Sequence, residues 1–240
     1  MGDKAAMANE SFQPADPARF TSALRRFDEE NSRDPNTEPD AGVKRPRELL
    51  YAQWLTQWVL RLRPEASEPL RLAARCQHLC RWMVPRDSYP MTRPGYLQWR
   101  QKLKEFHAKK SGEILRELGY PEPTIARVKA LNLKQNFPQD EEVRVLEDAL
   151  CLVFLEHQFV PLARKTSEEK IVNALQKSWK KMTPAAQALA LELPFSGAEK
   201  ALIEKALAAP SGGDKKTSHR PPGSALPKAS EGTGPLGQRS

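Results

Sequence analysis

"DEEVRVLEDALCLVFLEHQFVPLARK", residues 140–165, decides the fold. Its middle is apolar on nearly every side, and a helix of that kind belongs at the centre of a helical domain. At helical spacing, Val143, Leu146, Leu150 and Phe154 surround Glu147, while Val145, Leu152 and Leu155 share a side with Asp148. Two adjacent carboxylates therefore fall on the most apolar helix of the chain. A charge there is costly unless it pairs, binds a metal or takes up a proton.

The same helical period recurs on both sides of this segment. "FTSALRRFDEEN" (20–31) places Phe20, Leu24 and Phe27 on one face, and "SRDPNTEPDAG" (32–42) then breaks the pattern. "PRELLYAQWLTQWVLRL" (46–62) opens on Pro46 and carries Leu50, Trp54, Trp58 and Leu62 in a stripe. "SEPLRLAARCQHLCRWM" (67–83) predicts a helix capped by Ser67, followed by a Pro-rich loop over 84–96. Residues 97–119 read as a long helix closed by Gly119, and 121–134, 166–182 and 183–195 as shorter ones. No alternating strand pattern of useful length appears. The expectation is one compact, all-α, multi-helix domain over 18–195 with a short helical extension over 196–209. The polar start (1–17) and the Gly/Pro/Ser-rich end (210–240) have the composition of disordered segments.

Hydrophobic residues make up 39% and charged residues 28%, an ordinary globular balance. No apolar run approaches the roughly 20 residues that a membrane span requires. "MGDKAAMANE" lacks the features of a signal or transit peptide, so a cytoplasmic or nuclear location is expected. The three cysteines are too few for a disulfide framework. Cys76 and Cys80 share a helix face from which His78 points away, which argues for buried thiols and against zinc. Neither a P-loop, a GxSxG elbow nor a His-Glu-x-x-His motif is present.

The net charge of +8 raises the question of an anionic partner. The excess concentrates between Arg81 and Lys104, where Arg81, Arg86, Arg93, Arg100, Lys102 and Lys104 face a single Asp87. Planar guanidinium groups suit a phosphate, which assigns a clamp to Arg81, Arg86, Arg93 and Arg100. Gln77 and the aromatic Trp82, Tyr89, Tyr96 and Trp99 lie in the same stretch and offer surfaces on which a base stacks. His107 falls on the buried stripe of its helix, and His78 has Arg81 and Trp82 on its own side. Taken singly, each histidine reads as a satisfied core residue and each arginine as a solvated one. Taken together, His78, His107, Glu147 and Asp148 converge from apolar faces and have the chemistry of acid-base groups or metal ligands.

"LAARCQHLCRW", "FHAKKSGEILRELGY" and "VLEDALCLVFLE" resemble the helical core of the HD-domain superfamily of metal-dependent phosphohydrolases. The resemblance implies a divalent metal held by His78, His107 and Asp148, with Glu147 beside it. Two positions depart from that pattern. Leu79 stands where the Asp of the His-Asp pair belongs, and the early helix offers Tyr51, Gln53 and Gln57 but no histidine. Over nearly the whole domain, "FDEENSRDPN", "KRPRELLYAQW", "RCQHLCRWMVPRDSYP" and "RPGYLQWR" resemble an uncharacterised bacterial and fungal family of unknown function, DUF4202. Some fungal members carry a glutamyl-tRNA synthetase label, for which this sequence has neither the nucleotide-binding α/β sheet nor its motifs.

The leading expectation is a degenerate phosphohydrolase acting on a small phosphorylated metabolite or nucleotide. The alternatives are a non-catalytic binder of a nucleotide or RNA and a structural or adaptor domain with a satisfied polar network.

Overall fold

The computed structural model describes residues 12–208. Most of the segments read as disordered from composition lie outside them. The described residues form ten α-helices and one small hairpin, an all-α domain as the sequence pattern implies. None of these helices is long and apolar enough to cross a membrane.

Helix α1 (Pro17–Asn31) starts where Asp16 accepts the Arg19 N–H. Strands β1 (Thr37–Asp40) and β2 (Val43–Pro46) then pair antiparallel across Ala41 and Gly42, both at positive φ. This hairpin was not expected from the sequence. Each strand is four residues long and contains a proline, so no alternation announces it. Next come α2 (Arg47–Leu62) and α3 (Glu68–Cys76), with α4 (Arg93–Glu117) and α5 (Glu122–Leu133) packed against each other behind them. The central α6 (Glu141–Val153) lies against α2, and Leu146, Ala149, Leu152 and Val153 are completely buried. Helices α7 (Phe159–Ala163), α8 (Glu168–Trp179), α9 (Pro184–Leu191) and α10 (Gly197–Ala208) complete the domain. Ile203 and Ala206 join the same core, so the predicted extension is packed structure.

Three helix boundaries differ from the sequence reading. The helix expected to run to Met83 stops at Cys76, because Asn31 Oδ1 takes the Cys80 N–H at 2.9 Å and Cys80 adopts φ 53°. His78 and Arg81 thereby leave helical register. Helix α4 begins four residues before the expected Leu97, with Thr92 as its cap. Gly95 is required there, since a Cβ would sit 2.2 Å from the Pro90 carbonyl oxygen. The segment 140–165 is not one continuous helix. Pro161 cannot donate to His157 and crowds its carbonyl, and a π turn over Phe154–Gln158 absorbs the mismatch.

Asp148 joins two of these helices. Its Oδ1 accepts the Thr183 N–H at 2.9 Å and its Oδ2 the Thr183 hydroxyl at 2.6 Å, while Thr183 caps α9 through the Ala186 N–H. Asp148→Ala leaves the half-buried Thr183 donors without their acceptor and is expected to lower stability by about 1–3 kcal/mol. The shift in urea midpoint measures this, and Asp148→Asn, which keeps acceptor capacity, is expected to lose less.

Candidate functional site

The turn that follows α3 delivers His78 into a narrow slot. One ring face stacks on Tyr51 at 3.9 Å between centroids and 10° between planes, and the His107 ring lies 5.9 Å away. Nδ1 is 3.2 Å from Glu48 Oε2. Glu48 stands in the first turn of α2, where its N–H donates to Asp34 Oδ2. Burial pushes the Glu48 carboxyl up to about 7 against the pull of Arg81, and Asp34 adds to the rise. Burial also holds the His78 imidazole well below its ordinary range, reinforced by Arg81, Lys134 and Arg100. A neutral imidazole beside a carboxyl poised near neutrality is an arrangement suited to handling a proton.

His107, on α4, is 2% exposed. Its Nδ1 faces the Leu79 carbonyl at 2.9 Å, and a carbonyl only accepts, so the ring proton is on Nδ1. Nε2 is then a buried lone pair with no partner among the described residues.

Five cations from four segments act on His78 and on the neighbouring Glu147. Arg81 sits in a short 3-10 turn, its Nε 3.7 Å from Glu48 Oε1 and its guanidinium 4.7 Å above the Trp99 ring. Arg100 and Lys104 stand one turn apart on α4. Lys134 ends α5 in the left-handed conformation at φ 57°, and Lys181 lies in the turn before α9. Both lysines bind the Glu147 carboxylate, Lys181 at 2.9 Å. Burial favours the protonated carboxyl there, but Lys134 and then Lys181 outweigh it and hold Glu147 down to about 2. The cations also act on each other. Burial lowers the proton affinity of Lys104 and Lys134, and repulsion from Arg100 and Lys181 lowers both further.

The expected metal ligands do not fit a metal. Both Asp148 oxygens are engaged by Thr183 on α9, and both Glu147 oxygens by lysines. Among the described residues no group of three or more His, Cys, Asp or Glu side chains is placed to hold an ion. The Arg-rich stretch also divides. Arg81 reaches the site and the exposed Arg100 acts on it through its charge, whereas the Arg86 guanidinium is spent on the carbonyls of Tyr89 and Pro90, at 3.0 and 2.8 Å. Arg93 is exposed at the start of α4. Trp99 donates from Nε1 to the Val84 carbonyl at 2.9 Å and carries Arg81 and Arg86 against its ring, so it positions guanidiniums instead of offering a free stacking face. Tyr96 is exposed and its hydroxyl accepts from Arg100 at 3.3 Å; Trp82 packs on the core. Gln77 is buried with Oε1 unpartnered among the described residues.

Sequence reasoning missed Glu48, Lys134 and Lys181 and gave Tyr51 no role. Glu48 resembles any acid in a first helical turn, and the lysines resemble surface residues. A lysine directly after a helical run that lacks a C-terminal glycine is the faint signal that was available for Lys134.

The neutral His107 has a consequence for stability. Burial first, then repulsion from His78, pushes its pKa down to about 3 from an ordinary 6.5, despite the opposing bond to Leu79. The unfolded chain takes up a proton at this ring as pH falls through 6.5 and the folded chain does not. Stability contributed at this position is therefore present above that pH and lost below it. Between pH 7 and 5 the expected loss is about 2 kcal/mol. Ring resonances of His107 that stay unchanged from pH 8 to 5 in an NMR titration are the expected result.

No curated protein and no solved structure shows significant similarity to the chain. The family described as domain of unknown function (DUF4202) matches residues 21–203, from α1 into α10, so every residue of the cationic site falls inside the match. The chain belongs to the DUF4202 family.

Proposed function

We propose that this domain binds a small phosphorylated metabolite or nucleotide at the cationic cluster around His78, and that any turnover there proceeds without a metal. The observation that carries the reading is the charge balance of the site. Five cations, Arg81, Arg100, Lys104, Lys134 and Lys181, face two carboxylates, Glu48 and Glu147, and Glu48 is half-protonated near neutral pH. A purely structural network needs one cation for each carboxylate. Here the lysines on Glu147 and Arg81 on Glu48 already meet that need, and Arg100 and Lys104 are left over. Two guanidiniums and three ammoniums suit a phosphate, which accepts charge-assisted hydrogen bonds on several oxygens at once. The left-handed backbone at Cys80 and Lys134 also favours the reading, because strained residues are kept where a side chain must be aimed. A cluster of five cations is smaller than the broad basic face that RNA binding uses.

Titration calorimetry of the full chain with pyrophosphate and with ATP tests the reading. Saturable binding is expected, weakening as salt rises. Arg100→Ala and Lys104→Ala are each expected to weaken it roughly 5- to 50-fold, the size of one charge-assisted contact. Binding that is absent, or equal in wild type and both variants, overturns the proposal. So does tighter binding of single-stranded RNA that ignores these two substitutions.

A further inference from the structure

Resting on that reading, we infer that His78 Nε2 is a nucleophile that accepts the phosphoryl group of the bound ligand, forming a transient phosphohistidine. The geometry leaves this atom as the one reactive position of the ring. Tyr51 covers one face, the His107 ring lies 5.9 Å away, and Nδ1 is engaged by Glu48. Nε2 has no hydrogen-bond partner among the described residues, yet the side chain keeps 21% of its surface exposed. It is thus the edge of the imidazole that a ligand can reach. Arg81, Lys134 and Arg100 act on the same ring, and Arg81 shares the Glu48 carboxyl with it, so positive charge bears on the atom that would receive a phosphoryl group.

In the first step the Nε2 lone pair attacks phosphorus and an N–P bond forms. The bond from phosphorus to the leaving oxygen breaks, and the leaving group departs with that electron pair. The ring becomes an imidazolium carrying its proton on Nδ1, and Glu48 stabilises it by accepting the Nδ1–H hydrogen bond. Water then attacks phosphorus, the N–P bond breaks and its electrons return to Nε2. The products are dihydrogen phosphate and the neutral histidine. Neither step requires a metal or a redox partner. An imidazole held neutral is the form able to attack, and cations around the equatorial oxygens stabilise the transition state as in other phosphoryl transfers. Glu48 is a positioning residue here, acting through the His78 ring.

Acetyl phosphate and phosphoramidate, two small phosphoryl donors, test the inference on the full chain. The expected result is a mass gain of one phosphoryl group that is acid-labile and alkali-stable, with peptide mapping placing it on His78. His78→Gln is expected to abolish the label and His157→Gln to keep it. Glu48→Ala is expected to slow labelling at least tenfold. In the same variant the ring 15N shifts of His78 are expected to lose the preference for a proton on Nδ1, and Glu48→Asp, which keeps the carboxylate, is expected to restore labelling. Mapping on the wild-type protein needs no variant to fold. Saturable pyrophosphate binding without label, or label on another residue, overturns the covalent step and leaves the binding reading standing. Absence of both binding and label removes the two together.

Discussion

A carboxylate taken out of water must be compensated, and this domain takes five of them into its interior. Glu30, Asp34, Glu48, Glu147 and Asp148 are each between 4% and 6% exposed, and Asp34 is met by the Glu48 N–H. Each is answered from a distant part of the chain. Glu30 draws in Lys110, Arg26 and Arg33 and accepts from the Cys80 thiol. Glu147 ties the ends of α5 and α8 to the central helix. Asp148 anchors α9, and Glu48 holds the turn after α3 through His78 and Arg81. Leaving any one uncompensated costs several kcal/mol, comparable with the net stability of a domain this size. The positions of the connecting turns are therefore set by charge as much as by packing.

The site follows from the same constraint. Apolar periodicity shapes the helices, but the groups that meet at His78 come mostly from helix ends and turns. His78 and Arg81 lie past the end of α3, Lys134 is the left-handed residue that closes α5, and Lys181 stands between α8 and α9. Positive φ at a non-glycine residue is paid for by the surroundings. At Cys80 the compensation is visible, since Asn31 takes the backbone N–H and Glu30 the thiol.

Helix period made most of the architecture legible in the sequence. The all-round apolar run over α6 and the stripes on α2 and α4 gave the class and the core, and the burial of His107, Glu147 and Asp148 followed from their neighbours at three and four residues. What period cannot supply is the partner of a buried charge. Glu147 meets two lysines that no spacing announces, because pairing depends on where α5 and α8 stop. The resemblance to metal-dependent phosphohydrolases assigned His78, His107 and Asp148 to a metal without regard to what else they bind, and Thr183 holds Asp148 on both oxygens. The Arg-rich stretch divided for a similar reason. Arg86 and Arg81 look alike in sequence, but the turn after Pro85 folds its carbonyls back onto Arg86.

The electrostatics of the cluster link ligand and proton. Without an anion, Arg81, Lys134 and Arg100 oppose a proton on His78. Lys104 and Lys134 are likewise kept below their ordinary proton affinity, by burial first and by Arg100 and Lys181 next. A phosphate arriving among these groups cancels the repulsion that depresses all three, so each must bind its proton more tightly when the ligand is present. By reciprocity, the protonated lysines bind the ligand better than the unprotonated ones. His78 is the exception in consequence, since a gain large enough to protonate it would remove its nucleophilic lone pair. Burial is the first cause of its neutrality and does not vanish when charge is cancelled, because the ring remains between Tyr51 and His107. The stacked slot therefore does what the cations alone cannot: it keeps the imidazole neutral in the presence of the anion that the cations attract.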